Sequence, residues 1–151
     1  MYNYYSLPIE VLIVEDENLY KKVIKDFLQE DSGFQVVGDA KDGQTAVCLA
    51  KELRPDVVIM DLRLPVMSGI EATKKIKKTN PYIKVIALTA RSDKNEAIES
   101  LEAGASAYVN KEIDMQQFKM IIQTINNGAV WLDPVIGYKI FPEIIKSLYR
   151  N

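Results

Sequence analysis

Val57-Val58-Ile59-Met60 is an apolar run that ends in a carboxylate, Asp61. Val11-Leu12-Ile13-Val14 ends in Glu15-Asp16, Val85-Ile86-Ala87-Leu88 ends in Thr89, and Ala107-Tyr108-Val109 leads into Asn110-Lys111. Near-continuous apolar runs of this length read as buried strands. Parallel strands bring their carboxyl ends to one rim, where open α/β sheets keep their ligand sites. Three acids, a hydroxyl and an ammonium then meet in one cleft. Crowded carboxylates repel one another and hold protons more tightly. A divalent cation removes that conflict, and oxygen-only ligands select a hard ion such as Mg2+. One carboxylate can then attack phosphorus and form an aspartyl phosphate. The metal, the Lys111 ammonium and the Thr89 hydroxyl would balance charge on the phosphoryl oxygens. Singly, each residue has a plainer account. Asp61 could be a turn residue, Glu15-Asp16 partners of a helix dipole, Thr89 a good strand former and Lys111 a solvated lysine. Their conjunction at four different strand ends favours the chemistry.

The elements that must position these groups alternate along the chain. A first strand over residues 9–14 precedes a helix whose apolar face is Leu19, Val23, Ile24, Phe27 and Leu28. Phe34-Gln35-Val36-Val37 is a second strand, and Asp42-Gly43 opens a second helix with Ala46, Leu49, Ala50 and Leu53 inward. Ser68 caps a third helix over about residues 69–78, a fourth covers about 94–103, and a fifth carries Phe118, Ile121, Ile122 and Ile125. Five strands and five helices in strict alternation imply an α/β fold with a parallel sheet covered on both faces. The polar-interrupted fifth strand suits an edge. In the tail, residues 128–151, apolar side chains Val135, Ile136, Ile140, Phe141, Ile144, Ile145 and Leu148 recur at helical steps. Asp133 and Pro134 supply a cap and a first helical residue. Pro142 should split the tail helix or kink it. This apolar stripe is expected to pack on its own domain or on a second copy of the chain; the plainer alternative is a loose linker to an effector domain.

Composition sets the outer bounds. A chain of 151 residues has room for one core. A net charge of -2 offers no large basic surface, so direct nucleic-acid binding by this chain is not expected. The absence of histidine excludes His-ligated zinc and His-based acid–base chemistry. A single cysteine, Cys48, forbids an internal disulfide; its helical setting predicts a packed or half-exposed thiol. No apolar stretch approaches the length of a membrane span, and the N-terminus lacks a basic start and an apolar signal core. A cytoplasmic protein is expected.

Four separated pieces occur in order: Val11-Leu12-Ile13-Val14-Glu15-Asp16-Glu17, Asp61-Leu62-Arg63-Leu64-Pro65-Val66-Met67-Ser68-Gly69, Leu88-Thr89-Ala90 and Tyr108-Val109-Asn110-Lys111. Together they resemble the receiver domain of bacterial two-component response regulators over about residues 9–127. The resemblance implies a flavodoxin-like (βα)5 doubly wound parallel sheet of strand order 2-1-3-4-5, here with an N-terminal extension (residues 1–8) and a C-terminal helical extension. It implies a signalling switch rather than a metabolic enzyme, phosphorylated on Asp61 by a sensor histidine kinase with Mg2+. Asp16 would bind the ion directly, Glu15 mostly through water, and the Arg63 carbonyl would be the third protein ligand. Thr89 and Lys111 would hold the phosphoryl group, and Tyr108 would be an aromatic switch that follows Thr89 inward. Glu112 follows the lysine where many receivers have proline; the NarL/FixJ-like subfamily often has an acid there, and residues 127–134 also resemble that subfamily. In full-length members of that subfamily a DNA-binding domain follows, so the resemblance implies either a stand-alone receiver or a piece of a transcription factor, and a phosphorylation-dependent homodimer is expected. Two alternatives stand beside this one. A haloacid-dehalogenase-type Mg2+-dependent phosphatase also uses a strand-end Asp, but has a second Asp two residues on, where this chain has Arg63. A degenerate receiver would serve only as a protein-binding scaffold.

Overall fold

In chain order the elements are β1 (Ile9–Val14), α1 (Asn18–Gln29), β2 (Phe34–Ala40), α2 (Gly43–Leu53), β3 (Val57–Asp61), α3 (Gly69–Thr79), β4 (Lys84–Thr89), α4 (Lys94–Glu102), β5 (Ala107–Asn110), α5 (Met115–Asn126), β6 (Trp131–Leu132) and α6 (Pro134–Leu148). They come from a computed structural model that describes residues 7–150, the Ser147 side chain excepted. Most of the N-terminal extension therefore lies outside the described residues. All strand pairs are parallel, in the order β2-β1-β3-β4-β5-β6.

The sheet order corrects one expectation. β5 is not an edge, because Ala107 and Tyr108 pair with Trp131 and Leu132 of β6. Two residues are enough here: the Trp131 N–H donates to the Ser106 carbonyl at 2.9 Å, which satisfies backbone groups that an edge would leave to water.

Side chains of alternating strand positions face opposite layers. Val11, Ile13, Val57, Ile59, Ile86 and Leu88 pack against α1 and α5. Leu12, Val14, Val58, Met60 and Val85 pack against α2 and α3. On that second side Ala87 and Tyr108 meet α4 and α6. Buried strands, covered on both faces, carry long apolar runs for this reason.

Five of the six described helices start at a side-chain cap; α1 does not. Asp42, Ser68, Asp93, Asp114 and Asp133 each accept a main-chain N–H from their own helix, and each such cap contributes about 1 kcal/mol. Two helix faces differ from the expectation. On α1, Ile24 and Leu28 are buried, but Leu19 and Val23 are exposed and Tyr20 turns inward in place of Leu19. On α2 the alanines take the core side, which leaves Cys48 exposed rather than packed.

The tail is one helix, not two segments. Pro142 lies inside α6 without splitting it. Its ring removes an N–H that would have bonded to Tyr138, and both residues face solvent, so water can satisfy that carbonyl. Ile136 and Ile140, on the opposite side, are almost fully buried against α4, Tyr108 and Leu62. A partly exposed ion pair, Lys94 to Glu143 at 3.6 Å, joins the same two helices.

Candidate phosphoryl and metal site

The first β–α connection delivers Glu15 and Asp16 in opposite environments. Glu15 is fully buried at the end of β1, whereas Asp16 is exposed. Asp61, the last residue of β3, is 4% exposed. One carboxylate oxygen from each of the three lies within 4.8 Å of the others. The Arg63 N–H donates to Asp61 Oδ1 at 3.2 Å, which folds the chain beyond β3 back over the carboxylate.

That return loop is tightly constrained. A Cβ on Gly69 would collide with the Asp61 carbonyl oxygen, and one on Gly43 with the Met67 carbonyl. Between them the exposed Val66 adopts φ 68°, a region costly for a β-branched residue. Neighbouring contacts must therefore impose the loop's shape.

Lys111 follows β5, and its main-chain N–H donates to the Thr89 carbonyl at 2.8 Å. Its ammonium donates to Glu15 Oε1 at 3.0 Å and to Asp61 Oδ2 at 3.2 Å. Glu15 Oε2 is nearer, at 2.8 Å, and is ion-paired to the ammonium, but it makes no hydrogen bond. One cation thus serves two of the three carboxylates, Glu15 and Asp61, and Glu15 Oε2 remains without a hydrogen bond. Burial raises the Glu15 carboxyl to about 7, with Asp61 adding to the rise and Lys111 opposing it. Asp61 is also raised, chiefly by burial. Burial pushes the Lys111 ammonium down, but the two carboxylates outweigh it, and the net shift is upward.

These observations fit a hard divalent cation. The candidate ligand atoms are all carboxylate oxygens, the buried Glu15 Oε2 has no hydrogen bond, and exposed Asp16 gives the ion a route from solvent. Glu15, Asp16 and Asp61 are the clustered groups that could hold it.

Thr89 is buried, but its hydroxyl donates to the Arg91 carbonyl at 2.9 Å and accepts the Arg91 N–H at 3.2 Å. It is committed to its own loop rather than to Asp61. Tyr108 is already inward and fully buried. Its hydroxyl donates to Glu96 Oε1 at 2.7 Å and accepts the Asp93 N–H at 3.0 Å. Burial raises this phenol to about 12, so it remains a neutral donor.

The structure thus brings all the sequence-derived residues to one rim, with Tyr108 beneath it. It adds one that the sequence reading missed. Tyr20 of α1 donates its phenol hydrogen to the Lys111 carbonyl at 3.2 Å, and its ring centroid lies 5.2 Å from the Lys111 ammonium. The spacing of Leu19 and Val23 obscured it; an aromatic four residues after Asp16, in step with Ile24 and Leu28, was the available signal.

The response regulator receiver domain family matches residues 11–123. The response regulator protein VraR of Staphylococcus saprophyticus is 37% identical over 126 residues, covering 83% of this chain and 60% of VraR. The chain spans less than two thirds of the length of such curated relatives. A LuxR-family two-component response regulator from Aurantimonas sp. SI85-9A1 superimposes with a TM-score of 0.84 at 30% identity, covering 91% of this chain and 99% of that one. The receiver domain of the sensor histidine kinase PA1611 from Pseudomonas aeruginosa PAO1, solved with magnesium in its active-site cleft, gives 0.72 at 32% identity over 80% of this chain and 99% of that one. With a family match over most of its length, this chain belongs to the response regulator receiver domain family.

Proposed function

We propose that this chain is a phosphorylation switch in which Asp61 accepts a phosphoryl group from the phosphohistidine of a sensor kinase. The observation that carries the reading is the Asp61 carboxylate itself: it is almost buried, grouped with Glu15 and Asp16, and 3.2 Å from the Lys111 ammonium. An Asp61 oxygen attacks phosphorus, the P–N bond to the donor imidazole breaks, and the imidazole keeps that electron pair. Bound Mg2+ would neutralise phosphoryl charge and reduce repulsion on the incoming donor. Lys111 leaves the carboxylates to take a phosphoryl oxygen, and the Thr89 hydroxyl turns from Arg91 to take another. Arg63 and Arg91 flank the adduct and shield it from water.

The output runs through Tyr108. Thr89 and Tyr108 lie on adjacent strands, and the Tyr108 hydroxyl holds α4 through Glu96 and Asp93. Re-aiming Thr89 biases the inward Tyr108 state and, with it, the surface formed by α4 and α6. Exposed Val135, Phe141 and Leu148 on α6 support a contact with a second copy of the chain. Control of transcription in the cytoplasm would follow through a DNA-binding domain of a longer parent, as the regulator relatives suggest. Residues 9–127 form the switch and 128–151 the tail that connects it to output.

The test is incubation with acetyl phosphate and Mg2+, read by intact mass. One phosphate per chain is expected, and none on Asp61→Asn. Undiminished labelling of that variant would overturn the assignment. Rapid catalytic release of phosphate would favour the phosphatase reading, and no adduct on the wild type would favour a scaffold.

A further inference from the structure

Lys111 has a long side chain with four rotatable bonds and lies 16% exposed at the rim. Its ammonium is now held by Glu15 and Asp61. Both holds weaken in use, because a divalent cation and then a phosphoryl group claim the same carboxylates. Between leaving the carboxylates and reaching a phosphoryl oxygen, the ammonium needs another contact to keep it at the rim rather than in water. Tyr20 is placed to do so. It rises from the first turn of α1, its ring packs on the core beneath β1 and β5, and its two contacts grip the lysine at both ends. The hydroxyl fixes the Lys111 carbonyl, so the start of the β5–α5 loop cannot drift. The ring face lies at cation–π distance from the ammonium, and neither contact uses a carboxylate that the reaction needs.

We propose that Tyr20 is a positioning residue for phosphoryl transfer, holding the Lys111 ammonium over Asp61 once metal and phosphoryl group have displaced its carboxylate partners. This rests on Asp61 being the phosphoacceptor. Its hydrogen bond and its ring contact are both to Lys111, and it acts through that residue.

The test compares Tyr20→Phe and Tyr20→Leu in the full chain. Phosphorylation by acetyl phosphate is followed by intact mass over a range of donor concentrations, and Mg2+ affinity is measured separately by calorimetry. Tyr20→Phe keeps the ring and should stay within about threefold of the wild-type maximal rate. Tyr20→Leu loses both grips and should fall on the order of tenfold in maximal rate, with Mg2+ affinity nearly unchanged. In a Lys111→Ala background the Tyr20→Leu change should slow labelling no further, since no ammonium is left to hold. A purely structural tyrosine would instead lower rate and Mg2+ affinity together and remain additive with Lys111→Ala. That additive pattern, or wild-type labelling by Tyr20→Leu, overturns the proposal. If the wild type itself takes no phosphate, the Asp61 reading fails and carries this one down with it.

Discussion

The acid pocket and the α4–α6 seam lie a few residues apart on the same strands, yet are built on opposite terms. In the pocket two of the three clustered carboxylates share one ammonium, and the buried Glu15 Oε2 has no hydrogen bond. In the seam Ile136 and Ile140 close over Leu62, Ala87, Ala97 and Tyr108, and the Tyr108 hydroxyl has both a donor and an acceptor. The pocket is incomplete without a ligand; the seam is complete without one. Burial should therefore set the seam's contribution to stability regardless of pH or metal, whereas the pocket's contribution should depend on both.

The largest expected effect tests the seam. Ile140→Ala removes a buried side chain and should cost about 2–5 kcal/mol of unfolding free energy, measured by denaturant titration, with and without Mg2+ alike. A loss below about 1 kcal/mol would mean that α6 does not hold this position in solution. Trp131, paired to β5 at the root of the tail, should report the same loosening as a red shift in emission.

A smaller effect tests the pocket. Glu15 titrates at about 7 in the folded chain against 4.5 for the ordinary carboxyl. A raised acid stabilises the fold while protonated in it: the benefit is full below 4.5 and is lost as pH rises to about 7. Each pKa unit corresponds to about 1.4 kcal/mol, but Lys111 shares the charge, so a decline of about 1–2 kcal/mol is expected across that window without metal. Glu15→Gln should flatten it, and millimolar Mg2+ should oppose it. A metal-free melting temperature that rises from pH 4.5 to 7 would break the comparison.

The smallest effect sharpens it. Asp16 belongs to the same cluster but is exposed. Asp16→Asn should weaken Mg2+ binding at least tenfold, yet change metal-free stability by no more than about 0.5 kcal/mol, in the stabilising direction. Clear destabilisation without metal would show that crowding is not what distinguishes this pocket.

The layers and the pocket were legible in the sequence because β1, β3 and β4 are nearly continuous apolar runs that end in the chemical groups. Their neighbours on the rim follow from parallel pairing alone. Two residues such as Trp131 and Leu132 carry no periodicity, so β6 could not be read; it exists because Ala107 and Tyr108 lie opposite. Leu19 and Val23 matched a helical period as well as Tyr20 did, and only packing decided between them. The direction of the Thr89 hydroxyl and the inward ring of Tyr108 depend on partners at Arg91, Asp93 and Glu96, which no strand pattern encodes. The continuity of α6 through Pro142 was missed because it depends on which side of the helix faces water.

Gly69 adds a different lesson, about what counts as an intact copy of this chain. A methyl group there would press on the main-chain carbonyl oxygen of Asp61, and since a Cβ is fixed to its own backbone no rotamer change can give way. A natural variant or paralogue could retain every acid, the threonine and the lysine, pass any inventory of reactive groups, and still carry its phosphoacceptor out of register. At this rim, inheritance of function should be judged by the residue that has no side chain as well as by those that do.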